Sequence, residues 1–377
     1  MFSAADTTFM AQAIRLAELG RYTTSPNPNV GAVLVQNGVV VGSGYHKQAG
    51  GPHAEVFALR EAGSAAKGAT CYVTLEPCSH YGRTPPCAEA LIAAGVARVV
   101  VAMQDPNPQV AGHGVAMLRH AGIVVDVGLL EAQARALNPG FLSRMERKRP
   151  YVQLKLAASL DGRTALANGD SKWLTGAAAR SDVQHYRAQS CAILSTATTV
   201  LADNARLNLR AEQLLQSVTA LESGELRQPK RVILDRNGVL DQRQAIFNDG
   251  GEVLLCVSKV ENSRQLPNIA RQIHCPLDSN AQFDLVALLE HLALRENVNT
   301  LWVEAGATLA GTLLQLNLVD ELIVYIAPKL LGNAAQPLAV LPQFTALAQV
   351  PELSWTDIRM VGSDIRLTAT LNPAPTA

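Results

Sequence analysis

The sequence predicts two consecutive α/β domains. Its 377 residues exceed what one hydrophobic core usually organises. Helix and strand periodicities alternate through the first part of the chain and restart after Pro150, the pattern of sheets covered by helices. Apolar residues make up 48% and charged residues 17%, an ordinary globular balance that can bury a core unaided.

In the first half, Asp6 is read as the cap of a helix with apolar positions at Phe9, Met10, Ala13, Ile14 and Ala17, ending at Gly20. Gly31 to Gln36 and Val39 to Val41 read as strands around Asn37-Gly38, a hairpin signal because both turn residues must accept positive φ. Helix patterns follow at Ala54 to Ala66, Ala88 to Ala94 and Gly114 to Ala121, interleaved with strand patterns at Thr70 to Leu75, Arg98 to Met103 and Ile123 to Val127. The charged run Arg144 to Pro150 has no apolar period; it reads either as the last turn of a helix broken at Pro150 or as a flexible linker. The junction is placed there, giving domains 1–148 and 149–377. In the second half, strands are expected at Tyr151 to Leu156, Cys191 to Leu194, Arg231 to Leu234, Glu252 to Val257, Thr300 to Val303 and Leu322 to Ile326, and helices at 177–189, 284–295 and 307–316. Ala211 to Gln228 reads as a variable insertion and Asn372 to Ala377 as a frayed tail.

Charge narrows the function classes. Lys plus Arg and Asp plus Glu both number 32, so no net field recruits nucleic acid or an anionic membrane. Apolar runs such as Val96 to Met103 fall far short of the roughly 18 residues of a membrane helix. The first twenty residues lack a basic start followed by an apolar core, so no signal peptide is expected and the location is read as cytoplasmic. Six cysteines are too few for a disulfide scaffold in so long a chain, and three of them cluster near motifs of the first half, which points to metal chemistry in a reducing compartment.

The motif Pro52-His53-Ala54-Glu55, followed by Glu76-Pro77-Cys78 and then Cys87, carries the chemistry. One imidazole and two thiolates make three zinc ligands, and a fourth position left to water separates a catalytic site from a closed structural one. Zinc lowers the pKa of that water from about 15.7 to about 7. Glu55, two residues after His53, suits the proton carrier of zinc deaminases rather than a ligand. A structural zinc would need a fourth protein ligand, for which His80 is the candidate. Zinc deaminases generally carry two residues between the cysteines; here there are eight, Ser79 to Pro86.

That loop, Thr74-Leu-Glu-Pro-Cys-Ser-His-Tyr-Gly-Arg-Thr-Pro-Pro-Cys87, together with Asn27-Pro-Asn-Val-Gly31 and Asp105-Pro-Asn-Pro-Gln-Val-Ala-Gly112, resembles the deaminase half of the bifunctional riboflavin-biosynthesis deaminase/reductase family. In that family the eight-residue spacing is normal. The resemblance implies a cytidine-deaminase-like three-layer α/β/α domain with one zinc per chain. The implied reaction removes the 2-amino group of 2,5-diamino-6-ribosylamino-4(3H)-pyrimidinone 5′-phosphate, with Asn27, His46, His80 and Arg83 contacting the substrate. A guanidinium at position 83 suits a phosphate. His113, His120, His185, His274 and His291 have no such support and are read as structural.

Leu154-Lys-Leu-Ala-Ala-Ser-Leu-Asp-Gly-Arg163, Gly169-Asp-Ser-Lys-Trp173, Thr198-Thr-Val-Leu-Ala-Asp203 and Val303-Glu-Ala-Gly-Ala-Thr-Leu-Ala-Gly311 resemble the reductase half of the same family. The last segment runs from strand to helix through Gly306, a turn that suits phosphate approach or simple packing equally, and no G-x-G-x-x-G is present. The resemblance implies a dihydrofolate-reductase-like α/β domain that uses NADPH to reduce the ribosylamino sugar at C1, and a homo-oligomer. Implied cofactor contacts are Ala157, Trp173, Thr199, Asp203, Gly306, Ala307, Thr308, Leu309, Ala310, Gly311 and Thr312. Implied substrate contacts are Lys155, Ser171, Arg187, Leu207, Arg210 and Glu304, with Arg187 and Arg210 expected to hold the phosphate. Two rival functions share the zinc motif. One is a nucleoside or RNA deaminase with a C-terminal binding module, which should need a basic channel; the other is a zinc-stabilised scaffold without activity.

Overall fold

The computed structural model describes residues 2–81, 85–108, 110–214, 226–249, 251–261 and 263–371. These form two compact units, one ending at Lys148 and the other starting at Arg149.

The first unit opens on a helix, Ala4–Ala17, capped not by Asp6 but by Ser3. Asp6 is the reciprocal partner of a capping box: its amide donates to Ser3 Oγ (3.1 Å) while its carboxylate accepts from the Ser3 amide (2.8 Å). The expected hairpin is present as β1 (Gly31–Gln36) and β2 (Val39–Tyr45). With β3 (Thr70–Val73), β4 (Arg98–Val101) and β5 (Val124–Val127) it makes a sheet of order β2-β1-β3-β4-β5, parallel from β3 to β5. Val33, Leu34, Val73, Val99 and Val100 are fully enclosed at its centre. Helices Ala54–Ala62, Cys87–Ala93 and His113–His120 follow the expected segments, the first shortened because Gly63 takes a φ of 52° and a 3-10 turn continues to Ala66. The charged run is the end of a helix, Pro139–Arg147, which stops at Lys148 with a φ of 56°. A linker reading of that run is therefore corrected: apolar Phe141 and Leu142 are buried and hold the helix, while its charged last turn faces solvent.

The second unit is built on a sheet of order β11-β10-β9-β8-β12-β6-β13-β16-β15. Here β6 is Tyr151–Ser159, β8 Ala192–Thr196, β9 Lys230–Leu234, β10 Val253–Val257, β11 Ala270–His274, β12 Thr300–Glu304 and β13 Glu321–Ala327. All of these run parallel. The hairpin β15 (Leu353–Val361) and β16 (Asp364–Leu371) adds antiparallel to β13, and the short strands β7 (Arg163–Ala165) and β14 (Gln336–Pro337) pair separately. Helices Ala177–Gln189, Leu285–Leu294 and Ala307–Gln315 match the expected segments. Arg149 opens the unit by a paired contact with Asp320 (2.7 and 3.0 Å). Of the expected insertion, Ala211–Gln213 is a 3-10 turn and 215–225 lie outside the described residues, as do Arg83 and the expected tail from Asn372. No helix among the described residues is long and apolar enough to cross a membrane.

Candidate active sites

In the first unit three separate elements deliver the sulfur and nitrogen donors. His53 is the N-cap of Ala54–Ala62, Cys87 is the first residue of Cys87–Ala93, and Cys78 lies in the loop after β3. Close packing sets the first of these: a Cβ on Gly44 of β2 would lie 2.6 Å from the Ala54 carbonyl oxygen, so the helix carrying His53 can approach the sheet only over glycine. His53 Nδ1 lies 3.6 Å from Cys78 Sγ and 3.3 Å from Cys87 Sγ, and all three donor atoms fall within 4.8 Å of one another. The nitrogen-to-sulfur edge of a tetrahedral zinc site is about 3.6 Å, so the residues fit the ion. His80 is exposed and lies outside this group, leaving three protein donors among the described residues.

Protonation follows the geometry. A hydrogen bond from the Cys87 thiol holds Cys78 down at about 4, while the same bond and burial push Cys87 up. A divalent ion removes the second proton as it binds. Glu55, almost wholly enclosed, has its carboxyl raised by burial against the lowering pull of His53. His46 is also buried; burial lowers it, so its imidazole is neutral. Its Nδ1 donates to the Pro52 carbonyl (2.9 Å), which leaves Nε2 to accept from the Asn27 amide at 3.2 Å. That fixes the Asn27 carboxamide with its oxygen free of the imidazole.

His53, Glu55, Cys78, His46, Asn27 and His80 line one cleft of about 280 Å³. Three groups in it escaped the sequence reading. Asp105, pushed up to about 6 by burial, and Arg144 from the helix Pro139–Arg147 both line the cleft. Buried Glu76 accepts from the amides of Asp105 (3.2 Å), Gly112 (2.9 Å) and Val115 (3.1 Å), capping the helix His113–His120 and pinning the loop that carries Cys78. Asp105 and Glu76 sit inside motifs already noted; Arg144 is hidden in a charge run and is found only by the direction of its helix. Gly114 of the capped helix is pressed onto the same loop, where an added Cβ would lie 2.0 Å from the Pro77 carbonyl oxygen. Gly114→Ala is therefore expected to displace Cys78, lowering bound zinc per chain and costing roughly 1–3 kcal/mol of stability; zinc content by atomic absorption and a melting curve check this, and an unchanged zinc content would refute it.

In the second unit, parallel pairing of β12 with β6 sets Glu304 directly beside Lys155. Arg187, from the helix Ala177–Gln189, grips both carboxylate oxygens of Glu304 (2.6 and 2.9 Å) and the Asn208 carbonyl (2.7 Å). Trp302 Nε1 adds a third bond to Glu304 at 2.9 Å. Burial would raise the Glu304 carboxyl, but Arg187, then Lys155 and Trp302, hold it at about 2. Burial lowers Lys155.

The other expected contacts divide by accessibility. Ala157 shares a face of β6 with Lys155. Thr199 and Asp203 lie on the helix Ala197–Asp203 that follows β8, with Asp203 paired to Lys172 at 2.9 Å. Trp173 is largely exposed and stacked under Arg180 at 4.5 Å. Ser171 is half-buried and Arg210 exposed. Leu207 has a φ of 51° and its side chain packs in the core, so only its backbone can meet a ligand. Gly306 caps the helix Ala307–Gln315 with open space at its Cα, and the amides of Ala307, Thr308 and Leu309 are the unbonded donors of the first turn. Ala310 and Gly311 face inward, Ala310 fully enclosed and Gly311 pressed on the Val340 carbonyl, because the helix needs an apolar face toward the core. Thr312 spends its hydroxyl on the Thr308 carbonyl.

Comparison with known proteins agrees with both units. Residues 3–103 match the family model for the cytidine and deoxycytidylate deaminase zinc-binding region, and residues 150–367 match that for the RibD C-terminal domain. The riboflavin biosynthesis protein RibD of Escherichia coli K12 is 54% identical over 363 residues, covering 96% of this chain and 98% of its own length. The protein of the same name from Haemophilus influenzae is 53% identical over 370 residues, covering 98% of each. Among solved structures, Acinetobacter baumannii RibD superposes with a TM-score of 0.88 at 46% identity over 98% of this chain and 99% of that one. The Thermotoga maritima diaminohydroxyphosphoribosylaminopyrimidine deaminase/5-amino-6-(5-phosphoribosylamino)uracil reductase gives 0.84 at 32% identity over the same shares. The expected folds stand, a cytidine-deaminase-like unit followed by a dihydrofolate-reductase-like one, and with them a zinc-binding deaminase and a reductase that takes a nicotinamide cofactor. Matched along nearly its whole length in sequence, in domain order and in fold, the chain belongs to the RibD family of bifunctional deaminase/reductases of riboflavin biosynthesis.

Proposed function

We propose that unit 1–148 deaminates 2,5-diamino-6-ribosylamino-4(3H)-pyrimidinone 5′-phosphate to 5-amino-6-(5-phosphoribosylamino)uracil, and that unit 149–377 reduces this product with NADPH to 5-amino-6-(5-phosphoribitylamino)uracil. The observation that carries the first half is the buried Glu55 carboxyl, in one cleft with His53 and Cys78, two of three convergent zinc donors. His53, Cys78 and Cys87 hold the ion, which when bound supplies a Lewis acid and a nucleophilic water at neutral pH. Glu55 carries protons: its carboxylate takes one from water and gives it to the ring nitrogen, then takes the second from the added hydroxyl and gives it to the departing amine. Water oxygen replaces the amino nitrogen, and ammonia leaves. Asn27 and His46 orient the ring through their fixed hydrogen bond, while His80 and Arg83 are assigned to binding the sugar phosphate.

For the second half, NADPH supplies two electrons. The sugar C1 gains a hydrogen as its bond to the ring oxygen breaks, and that oxygen takes a proton. Lys155, whose charged form burial disfavours, gives it. Glu304 orients Lys155 and the sugar hydroxyls. Arg187 acts through Glu304, to which it is already committed, and exposed Arg210 is left to meet the phosphate, with Ser171 and the Leu207 backbone beside it. Trp173, Thr199, Asp203, Ala157 and the helix start at Gly306–Leu309 receive the cofactor.

A cytoplasmic, homo-oligomeric protein with no nucleic-acid partner completes the reading. The balanced charge supports the last point. Exposed Trp355, Ile358 and Met360 on edge strand β15 support a subunit contact. Product analysis with the diaminopyrimidine phosphate tests the whole: ammonia and the uracil product are expected without NADPH, and the ribityl compound only with it. Ammonia release from cytidine or RNA alone would replace the reading with a nucleoside or RNA deaminase.

A further inference from the structure

Asn27 lines the deaminase cleft from a segment that is neither helix nor strand, the stretch 21–30 between the 3-10 turn Glu18–Gly20 and β1. A carboxamide that orients a reacting ring has to be held in place, since a misplacement of about 1 Å can cost about a hundredfold in rate. Pro26 and Pro28 carry no amide hydrogen, so side chains hold much of this segment.

Asn29, two residues on, is bonded through its main chain and its side chain alike. Its Oδ1 accepts from Thr24 Oγ1 (2.6 Å), and its Nδ2 donates to the Leu137 carbonyl (3.1 Å). Its main chain is taken by one residue: Asn138 Oδ1 accepts from the Asn29 amide (2.7 Å) while Asn138 Nδ2 donates to the Asn29 carbonyl (2.9 Å). A carboxamide sets an acceptor and a donor side by side, so Asn138 closes on Asn29 as a neighbouring strand would. On either side of that grip the Asn27 amide donates to the Thr24 carbonyl (2.8 Å) and the Val30 carbonyl accepts from the His46 amide (2.9 Å).

Asn138 forgoes an ordinary role to make this link. It is the N-cap of the helix Pro139–Arg147, where an asparagine side chain usually accepts from an amide of the first turn, yet it makes no such bond. Its side chain is buried and turned instead to a residue 109 positions away. Both segments joined by the link wall the cleft, the first through Asn27 and Val30 and the second through Phe141 and Arg144, whereas Asn138 itself stands behind them. We propose that Asn138 is a positioning residue for deamination: by gripping Asn29 it holds the Asn27 segment against the helix Pro139–Arg147 and so sets the place of the Asn27 carboxamide, which His46 orients from the other side. This rests on the reading that Asn27 contacts the pyrimidine ring.

The test is a double-mutant cycle on the full chain: the natural protein, Asn138→Ala, Asn27→Ala and the pair, each assayed for ammonia release from the diaminopyrimidine phosphate, with zinc content and reduction of the uracil intermediate measured on the same preparations. Asn138→Ala is expected to lower kcat for deamination by about 10- to 100-fold while zinc and reduction are kept. In a chain that already carries Asn27→Ala the same change should cost less than about threefold, because two residues acting through one contact do not add. Losses that multiply in the pair overturn the proposal, since Asn138 would then act by another route. So does a kcat for Asn138→Ala within about threefold of the natural protein while Asn27→Ala is impaired. Normal turnover in Asn27→Ala alone shows instead that the ring contact was wrongly assigned, and the proposal goes with it. Should Asn138→Ala lose its zinc, Asn138→Asp takes its place in the cycle, keeping the acceptor for the Asn29 amide and losing the donor, with the same lack of additivity expected. Zinc lost from that variant too would mean that Asn138 holds the fold, and would overturn the assignment.

Discussion

Glu55→Gln is expected to cut ammonia release from the diaminopyrimidine phosphate by about a hundredfold to ten-thousandfold, the range of a positioned proton carrier, while the chain keeps its zinc. The amide has the shape of the carboxyl and can still fill the enclosed site at the start of the helix Ala54–Ala62. It cannot accept and return a proton. Because Glu55 is not among the three clustered donors, one zinc per chain should survive the change, and reduction of the uracil intermediate should run at its normal rate because that chemistry belongs to the other unit. Steady-state ammonia release, zinc analysis and NADPH oxidation on the same preparation decide the matter. Turnover within about tenfold of the natural protein would remove Glu55 from the proton path and revive the scaffold reading or another carrier, with Asp105 an alternative in the same cleft.

The second large effect is expected at Arg187. Truncating it to leucine strips Glu304 of its two-pronged partner and leaves a carboxylate among Lys155, Trp302 and the core. Breaking a buried pair from one side costs about 3–5 kcal/mol, read from the unfolding transition of the reductase unit. The pH dependence carries the sign. In the natural protein Glu304 is held at about 2 against an ordinary 4.5, so its contribution is complete above the ordinary value and fades as pH falls from about 4.5 toward 2. In Arg187→Leu, burial has less opposition and Glu304 protonates at higher pH. The stability gap between the two proteins should therefore be widest near neutrality and shrink as the medium is acidified. Adding Glu304→Gln should recover part of the loss at neutral pH, though not the reductase activity. A gap below about 1 kcal/mol at pH 7 would mean that the pair is solvated and contributes like a surface ion pair.

Some of this protein is legible in its sequence because the signals are local. Hydrophobic periodicity located most of the parallel strands and the longer helices, since a helix or strand pattern depends only on neighbours within a few residues. The hairpin at Asn37-Gly38 and the helix 177–189 fall where the pattern places them. The zinc donors could be named from residue type and order alone, because few side chains bind that ion. What failed was equally local in its reason. Asp6 looks like a cap until Ser3 is seen to start the helix. The strands Ala270–His274 and Leu353–Val361 have exposed faces and irregular burial, so their composition does not announce them.

By itself, then, the order of residues determined the two-domain α/β plan, the His53-Cys78-Cys87 donor set and Glu55 as their companion. Only the tertiary structure decided that Arg187 is committed to Glu304, that Ala310 and Gly311 are enclosed, and that Glu76 braces the Cys78 loop. These are contacts between residues tens to more than a hundred positions apart, or choices of which face a side chain takes. Their energies depend on distance and burial, quantities that exist only once the chain has folded.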